Sequence, residues 1–419
     1  MNQFKTIGGD PRKRAARLER QLERLRSQGR SARFRRQADG AVIKRLRGAS
    51  RPRVLVVDLA VPAHDRSAGG LRMTWILRLL RSLHCHVTLF PVQQRIRREP
   101  YATELERLGV EVHVSTRPYA EFAAARAGLY DLVLMSTPDA AGPAIDTSRR
   151  AFPEASIVYD SVDLHFLRVA RRAGFVGGAA HSDYWYGKEV DCIQRSDVIA
   201  TVTEHEANVV RSLVPGARTF LLPTVHEPDH GQRLPYEATR DLLFIGGFLH
   251  DPNIDAVSYF VRDVLPLLAS EIDARLWVIG PDPPEEIRAL ESPSVVVTGH
   301  VPQVEDHFRR ARVFVSPLRY GAGMKGKNGH AMAFGLPLVT TTIGAEGMEL
   351  VDGEHALIRD KAEAFADGVV ALYRDPILWQ RLSTRSRELV DERWSPETMR
   401  GRLDELLVAT ARSRSTQRP

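Results

Sequence analysis

The sequence has 419 residues, of which 43% are hydrophobic and 26% are charged, a composition typical of a globular protein with two or three domains. It contains no apolar run of about 18 residues, and no apolar stretch follows its basic N-terminal segment, so we expect neither a membrane-spanning helix nor a secretory signal. Its two cysteines, Cys85 and Cys192, provide neither a disulfide framework nor a zinc site, and they fit a reducing compartment, the cytoplasm.

The positive charge is concentrated at the N-terminus. Residues 1–50 carry 15 Lys and Arg against 4 Asp and Glu, a net charge of +11, which leaves −4 for residues 51–419. Leu18, Leu22 and Leu25 recur at helical spacing among arginines and form a short basic amphipathic stretch. We predict a basic tail that contacts the anionic inner membrane surface. Non-specific nucleic-acid binding and a solvated disordered arm are the alternatives, and specific nucleic-acid binding is not expected.

Strand-like and helical stretches alternate from residue 51 onward, which predicts a doubly wound α/β domain over residues 51–228. Its predicted strands are residues 53–58, 87–90, 110–114, 131–135, 156–159 and 198–202. A polar, proline-rich stretch over residues 223–235 then indicates a linker.

The same alternation restarts after the linker and predicts a second doubly wound domain over residues 236–385. Its predicted strands are residues 241–247, 274–280, 295–297, 313–316 and 337–341. Residues 386–419 are expected to form closing helices, with a break at Trp394-Ser-Pro396, and to end in a frayed C-terminus at residues 413–419. Two such domains joined by a linker imply a cleft, where small ligands bind.

A glycine-rich segment with two lysines follows the strand that ends at Ser316. It reads GAGMKGKNGHAMAFG over residues 321–335, and a helix is predicted to start near Asn328. Glycines allow backbone N–H groups to approach a ligand, a helix N-terminus carries partial positive charge, and Lys325 adds a full charge. The segment predicts a diphosphate site that is neither a Walker loop nor a dinucleotide fingerprint, with a flexible turn as the alternative. For Lys327, contact with solvent and contact with a ligand are equally expected.

Three segments carry a resemblance to a known family. Residues 317–348, PLRYGAGMKGKNGHAMAFGLPLVTTTIGAEGM, resemble the donor-binding segment of family 4-type glycosyltransferases (glycosyl transferases group 1). Phe244–His250 resembles the first strand and loop of their C-terminal domain, and Tyr159–Arg168 resembles the N-terminal segment that faces the reacting sugar. The resemblance extends from about Arg53 to about Arg393. It implies an α/β, GT-B fold, in which two doubly wound, Rossmann-like domains face each other across a cleft.

The resemblance also implies roles for individual residues. Asp163 and His165 become the catalytic candidates nearest the anomeric centre, although such a pair is also typical of a structural hydrogen bond. Lys325 is implied to bind the diphosphate of a nucleotide-sugar donor. The full donor-binding set is Gly69, Gly70, Gly247, Phe248, Gly323, Lys325, Gly326, His330, Glu346 and Gly347.

The chain departs from the family at four positions, one of which is Val162, where the family has a histidine just before the residue that corresponds to Asp163. The paired glutamates expected at positions 322 and 330 are Ala322 and His330, and the arginine expected after the first strand of the second domain is Gly247. A neutral imidazole accepts one hydrogen bond where a carboxylate accepts several, so donor affinity or nucleotide preference is expected to differ. Lys325 is then expected to carry the diphosphate charge largely alone. These departures keep a second hypothesis open, a catalytically inactive scaffold or binding protein.

The expected reaction is glycosyl transfer in the synthesis of cell-surface polysaccharide or glycoconjugate, to a saccharide or lipid-linked acceptor held by loops of the first domain. Because no Asp-x-Asp motif follows a strand, we predict no metal and no cofactor beyond the nucleotide-sugar; retention of the anomeric configuration is implied by the resemblance. The predicted location is the cytoplasm, peripheral to the inner membrane. A nicotinamide-dependent enzyme is disfavoured because no G-x-G-x-x-G follows a strand, whereas a nucleotide-sugar epimerase of the same fold stays an alternative.

Overall fold

The computed structural model describes residues 40–48, 51–93, 97–114, 117–176, 182–229, 231 and 234–416. The chain divides into two units, Met1–Ser50 and Arg51–Pro419. In the first unit, helix α1 spans residues 40–47. The amphipathic stretch predicted around Leu18–Leu25 lies outside the described residues.

The first half of the larger unit is a parallel sheet flanked by helices. Its strands are β1 (Arg53–Asp58), β2 (His86–Pro91), β3 (Glu111–Val112), β4 (Leu132–Ser136), β5 (Ser156–Asp160), β6 (Val198–Thr201) and β7 (Thr219–Leu221), in the order β3-β2-β1-β4-β5-β6-β7. Its helices are α2 (Ala68–Ser82), α3 (Tyr101–Arg107), α4 (Tyr119–Ala125), α5 (Thr137–Ala151), α6 (His165–Val176), α7 (Ser182–Arg195) and α8 (Glu204–Leu213). The apolar residues of β1 and β4 are buried, as expected for central strands that are covered by helices on both faces.

The second half repeats this architecture. Its strands are β8 (Leu242–Ile245), β9 (Leu276–Ile279), β10 (Val295–Gly299), β11 (Val313–Ser316), β12 (Leu338–Thr340) and β13 (Leu357–Ile358), in the order β10-β9-β8-β11-β12-β13. Its helices are α9 (Asp251–Tyr259), α10 (Leu265–Leu268), α11 (Glu285–Arg288), α12 (Glu305–Arg310), α13 (Gly326–Ala333), α14 (Thr342–Ala345), α15 (Ala362–Arg374) and α16 (Pro376–Trp394). A 3₁₀ turn, Tyr236–Ala238, precedes β8.

The last helix, α17 (Pro396–Thr416), returns to the first sheet. Met399, Leu403 and Leu406 of α17 belong to the same buried cluster as the apolar residues of β1 and α2. The predicted break at Trp394-Ser-Pro396 is where α16 ends and α17 begins. Helix α17 continues to Thr416, within the segment 413–419 that was predicted to be frayed.

The strand order places the site at a defined point in each domain. In both sheets the chain reverses direction across the sheet between two neighbouring strands, β1 and β4 in the first and β8 and β11 in the second. Ligands of such sheets bind at this switch point, outside the carboxyl ends of the strands. The segments that follow β1, β8 and β11 carry the predicted donor glycines Gly69, Gly70, Gly247, Gly323 and Gly326, whereas Gly347 follows β12 and α14.

A buried ion pair fixes α2 against the first sheet. The Arg72 guanidinium donates to both carboxylate oxygens of Asp160, at 2.6 and 2.9 Å, and to the carbonyl oxygen of Leu222 at 2.7 Å. The Arg72 and Asp160 side chains are 2% and 0% exposed. Because α2 begins at the predicted glycine pair, this contact helps to place Gly69 and Gly70 at the cleft.

One predicted helix is interrupted for a visible reason. The sequence pattern predicts a helix over residues 254–268, but a π-helical segment, Phe260–Val264, separates α9 from α10. Pro266 lacks a backbone N–H and cannot continue the regular hydrogen-bond pattern, which accounts for a wider turn just before it. Strands β7 and β13, which have three and two residues, were not predicted.

Candidate active site

The loops of the two domains meet closely at the predicted donor glycines. A Cβ added at Gly323 would lie 2.9 Å from the Cβ of Asp163, and one added at Gly326 would lie 3.1 Å from the Cβ of Ala68. The fold therefore brings the glycine-rich loop of the second domain against the end of β5 and the start of α2 in the first domain.

Lys325 stands at the N-terminus of α13, where the predicted diphosphate site requires it. Its side chain is 7% exposed, and its Nζ donates to the carbonyl oxygen of Gly323 at 2.6 Å. Burial lowers the pKa of Lys325 to about 8, while the nearby carboxyl groups of Glu346 and Glu206 act in the opposite direction. The loop owes its shape to glycine, since Gly323 has φ +69°.

Lys327 packs against the turn after β8. Its Nζ donates to Oδ1 of Asn253 and lies 4.6 Å from the centroid of the Phe244 ring. Asn253 in turn donates to the carbonyl oxygen of Gly247 at 2.7 Å. Burial, together with the charge of Lys325, lowers the pKa of Lys327 to about 7. The sequence left the environment of Lys327 open, and in the structure its half-buried side chain supports the turn after β8.

Asp163 and His165 lie side by side at the start of α6. Nδ1 of His165 is 3.4 Å from Oδ1 of Asp163, and Nε of Arg168 donates to Oδ2 of Asp163 at 2.8 Å. Burial would raise the pKa of Asp163, but His165 and Arg168 lower it below its ordinary value. Asp163 is therefore held as a carboxylate that faces the glycine-rich loop of the other domain.

Glu346 and Gly347 also lie where the domains meet. Oε1 of Glu346 is 2.9 Å from Nη1 of Arg171 and 3.6 Å from Nε2 of His205, both residues of the first domain. Gly347 has φ +74°, and a Cβ there would lie 2.3 Å from Cγ2 of Thr203. In this structure Glu346 joins the two domains, and a glycine is required beside it.

The remaining predicted glycines lie on both sides of the cleft, Gly69 and Gly70 in the first domain and Gly247 in the second. A Cβ at Gly70 would lie 2.3 Å from the carbonyl oxygen of Ala63, so only glycine fits at the start of α2. Gly69 lies next to Val162, and Gly247 lies next to the backbone of Arg66. Phe248 is different, because its ring is 4% exposed in the core of the second domain and leaves only its backbone for a ligand.

His330 lies farther along α13 and lines a cavity of about 640 Å³. Its ring packs against Phe308 and Phe334, with centroid distances of 4.6 and 5.4 Å. Burial lowers the pKa of His330 to about 4, so the imidazole is neutral at pH 7. The cavity is also lined by Trp75 and Tyr101 of the first domain. It has the size of a small-ligand pocket.

Sequence reasoning missed three residues of this region, Arg171, Glu189 and Glu206. Arg171 donates through Nη1 to the carbonyl oxygen of Gly321 at 2.8 Å, besides its contact with Glu346. Glu206 follows Thr203 at the spacing of a capping box, a signal that predicts a helix start but not a carboxyl group turned toward the cleft. Nothing in the local sequence of Arg171 or Glu189 points to the site.

No described helix is long and apolar enough to cross a membrane. Within the same part of the chain, no group of three or more His, Cys, Asp or Glu side chains is arranged to hold a metal ion.

Two parallel, doubly wound domains that face each other across a cleft, with a glycine-rich loop and a buried lysine at the second switch point, have the architecture of the GT-B fold. Residues 239–375 match the model of the family Glycosyl transferases group 1, as the resemblance implied, and this match, together with the fold, identifies the chain as a glycosyltransferase.

Solved structures show the same fold at low sequence identity. Sucrose-phosphate synthase from Thermosynechococcus elongatus has a TM-score of 0.64 and 16% identity, and the alignment covers 87% of this chain and 100% of that one. HepE from Anabaena in complex with UDP-glucose has a TM-score of 0.65 and 14% identity, with 85% and 99% covered. A glycosyltransferase from Rickettsia africae has a TM-score of 0.64 and 11% identity, with 87% and 99% covered. Comparison with curated protein sequences gives no match.

Proposed function

We propose that this glycosyltransferase moves a sugar from a nucleoside-diphosphate sugar bound to the second domain onto a saccharide or lipid-linked acceptor bound to the first. The observation that carries the proposal is the meeting of the Gly323–Lys325 loop with Asp163 across the cleft. This contact places the ammonium group of Lys325, at the N-terminus of α13, opposite the carboxylate of Asp163, which is flanked by His165. HepE, which has the same fold, binds UDP-glucose, and this supports a donor of that chemical class.

The leaving diphosphate gains negative charge as the bond to the sugar breaks. Backbone N–H groups at the start of α13 and the ammonium group of Lys325 are fixed donors for that charge, and such fixed donors are effective in a site that excludes water. Donor binding adds negative charge beside Lys325 and favours its protonated form, which offsets the lowering of its pKa by burial. The residues of this chain thus supply the stabilisation that the predicted metal-independent reaction needs.

Asp163 and His165 lie on the face of the first domain that the glycine-rich loop approaches. A carboxylate there can stabilise positive charge on the sugar ring in the transition state and can orient the incoming hydroxyl group. Retention of configuration, which the family resemblance implies, fits transfer on the face of the sugar shared with the diphosphate. The synthesis of cell-surface polysaccharide or glycoconjugate and a location at the inner membrane surface belong to the same proposal.

The first test is a thermal-shift screen of the full chain against UDP-, GDP-, dTDP- and ADP-sugars, each with and without a chelator. A donor at about 100 times its dissociation constant adds about 2.7 kcal/mol of stability, a shift of a few degrees. A shift with one nucleotide class that the chelator leaves unchanged supports the proposal and identifies the donor. If no donor shifts the melting temperature and none is turned over with saccharide acceptors, the inactive scaffold becomes the better explanation.

A further inference from the structure

Two buried glutamates hold the backbone on which the catalytic candidates stand. Glu189 of α7 accepts the N–H of His165 at Oε1, at 2.9 Å, and the N–H of Phe166 at Oε2, at 3.0 Å. Glu206 of α8 accepts the N–H of Leu164 at Oε1, also at 3.0 Å. Three consecutive backbone N–H groups after Asp163 therefore donate to two carboxyl groups, which belong to different helices.

The burial of these glutamates is unusual for acidic side chains. Glu189 is 0% exposed and Glu206 is 1% exposed, whereas glutamates are almost never fully buried without a partner. Glu189 has both oxygens bonded at the N-terminus of α6, where the helix dipole favours a negative charge. Glu206 has one bonded oxygen, and its Oε2 has no hydrogen-bond partner among the described residues.

We propose that Glu189 and Glu206 are positioning residues of the transfer site. They hold Asp163 and His165 in place opposite the Gly323–Lys325 loop. The inference rests on the proposed function. Glu189 also acts through charge, because its Oε1 lies 3.5 Å from Nδ1 of His165.

His165 provides a readout that a purely structural role would not move. The groups that face it are the Glu189 and Asp163 carboxylates, the Arg168 guanidinium and the Trp185 ring, whose centroid is 5.0 Å away. Burial would lower the pKa of His165, but Glu189 and Asp163 raise it above its ordinary value. Removing the charge of Glu189 is therefore expected to lower the pKa of His165.

The first test titrates the histidines of the full chain by ¹H–¹³C NMR and identifies His165 from the spectrum of His165→Asn. Glu189→Gln is expected to lower the pKa of His165, because it removes one close opposite charge. The matched control is Asp375→Asn, because Asp375 accepts the N–H groups of Ile377 and Leu378 at the start of α16. The control is expected to lose melting temperature but to leave the His165 titration unchanged. An unchanged His165 titration in Glu189→Gln would overturn the role of Glu189.

The second test separates binding from turnover once a donor has been identified. Glu189→Gln is expected to lower kcat by tenfold to a hundredfold, on the order expected for misplaced catalytic groups, with little change in the donor KM. Glu206→Ala is expected to lower kcat in the same way, and Glu206→Gln, which keeps an oxygen for the Leu164 N–H, is expected to recover most of the loss. Equal losses in the Ala and Gln variants would overturn the role of Glu206. If no nucleotide-sugar is turned over, the proposed function fails, whereas the NMR titration still decides the role of Glu189.

Discussion

The protonation state of Glu206 gives the sharpest quantitative prediction. Burial raises the pKa of this carboxyl group from 4.5 to about 8, and the neighbouring Asp163 carboxylate adds to the rise. The folded protein therefore holds the proton of Glu206 through the neutral range, whereas the unfolded chain releases it above its ordinary value. Replacing Glu206 with glutamine leaves a side chain of the same shape that is neutral in both states.

The expected stability difference follows from this proton. Because the unfolded chain is ionised while the folded protein is not, the free energy of unfolding of the wild type falls as pH rises from about 4.5 to about 8. One pKa unit corresponds to about 1.4 kcal/mol, so the loss is about 3 kcal/mol at pH 7 and less than about 1 kcal/mol at pH 5. Glu206→Gln does not suffer this loss, and its stability relative to the wild type should rise by about 2 kcal/mol between pH 5 and pH 7.

The assay is unfolding by urea or heat at half-unit steps between pH 5 and pH 8. Glu405→Gln, a substitution of an exposed glutamate on α17, serves as the control and should stay parallel to the wild type. A constant difference between Glu206→Gln and the wild type across this range would refute the reasoning, because it would mean that Glu206 is ionised in the folded protein.

Three further substitutions test other parts of the structure. Lys325→Ala should weaken donor binding and transfer more than Lys327→Ala does. Lys327→Ala should lower the melting temperature more than Lys325→Ala does. Equal losses of transfer would show that the diphosphate does not bind beside Lys325. Gly329→Ala should cost about 1–3 kcal/mol, because its Cβ would lie 2.2 Å from Nε2 of His226, and the double variant with His226→Ala should recover part of that cost in denaturant unfolding. Asp160→Asn should cost about 3–5 kcal/mol in the same assay, because it leaves a buried guanidinium group without its carboxylate; a loss below about 1 kcal/mol would argue against the burial of this pair.

The repeated architecture could be predicted because the pattern of each element agrees with its tertiary environment. Val313–Ser316 is a short, mostly apolar run between Arg312 and Pro317, and it forms β11 with these bounds. The helix after it was placed near Asn328, two residues later than Gly326, where α13 begins. The shift arises because glycines at 326 and 329 oppose a helix by propensity, while contacts with the linker and the first domain favour it.

The polar contacts of the site could not be predicted to the same extent. The pattern around residues 321–335 indicated a diphosphate loop, but it could not distinguish the environments of Lys325 and Lys327, which are two residues apart. Their difference depends on Asn253, a residue 74 positions away from Lys327 in the chain. The burial of Glu189 and Glu206 likewise depends on the packing of α6, α7 and α8, which no local pattern encodes.

Three arginines along α6 compensate for the arginine that is missing at position 247. Arg168, Arg171 and Arg172 are spaced so that they share one face of that helix, and each pairs with a carboxylate near the donor loop. The three pairs are Arg168 with Asp163, Arg171 with Glu346 and Arg172 with Asp251, with closest distances of 2.8, 2.9 and 2.9 Å. These pairs neutralise the acidic groups that would otherwise repel an anionic donor. Under the proposed function, the charge of Lys325 is then left for the diphosphate, and we infer that one lysine at the start of α13 serves where the family resemblance implies a lysine and an arginine.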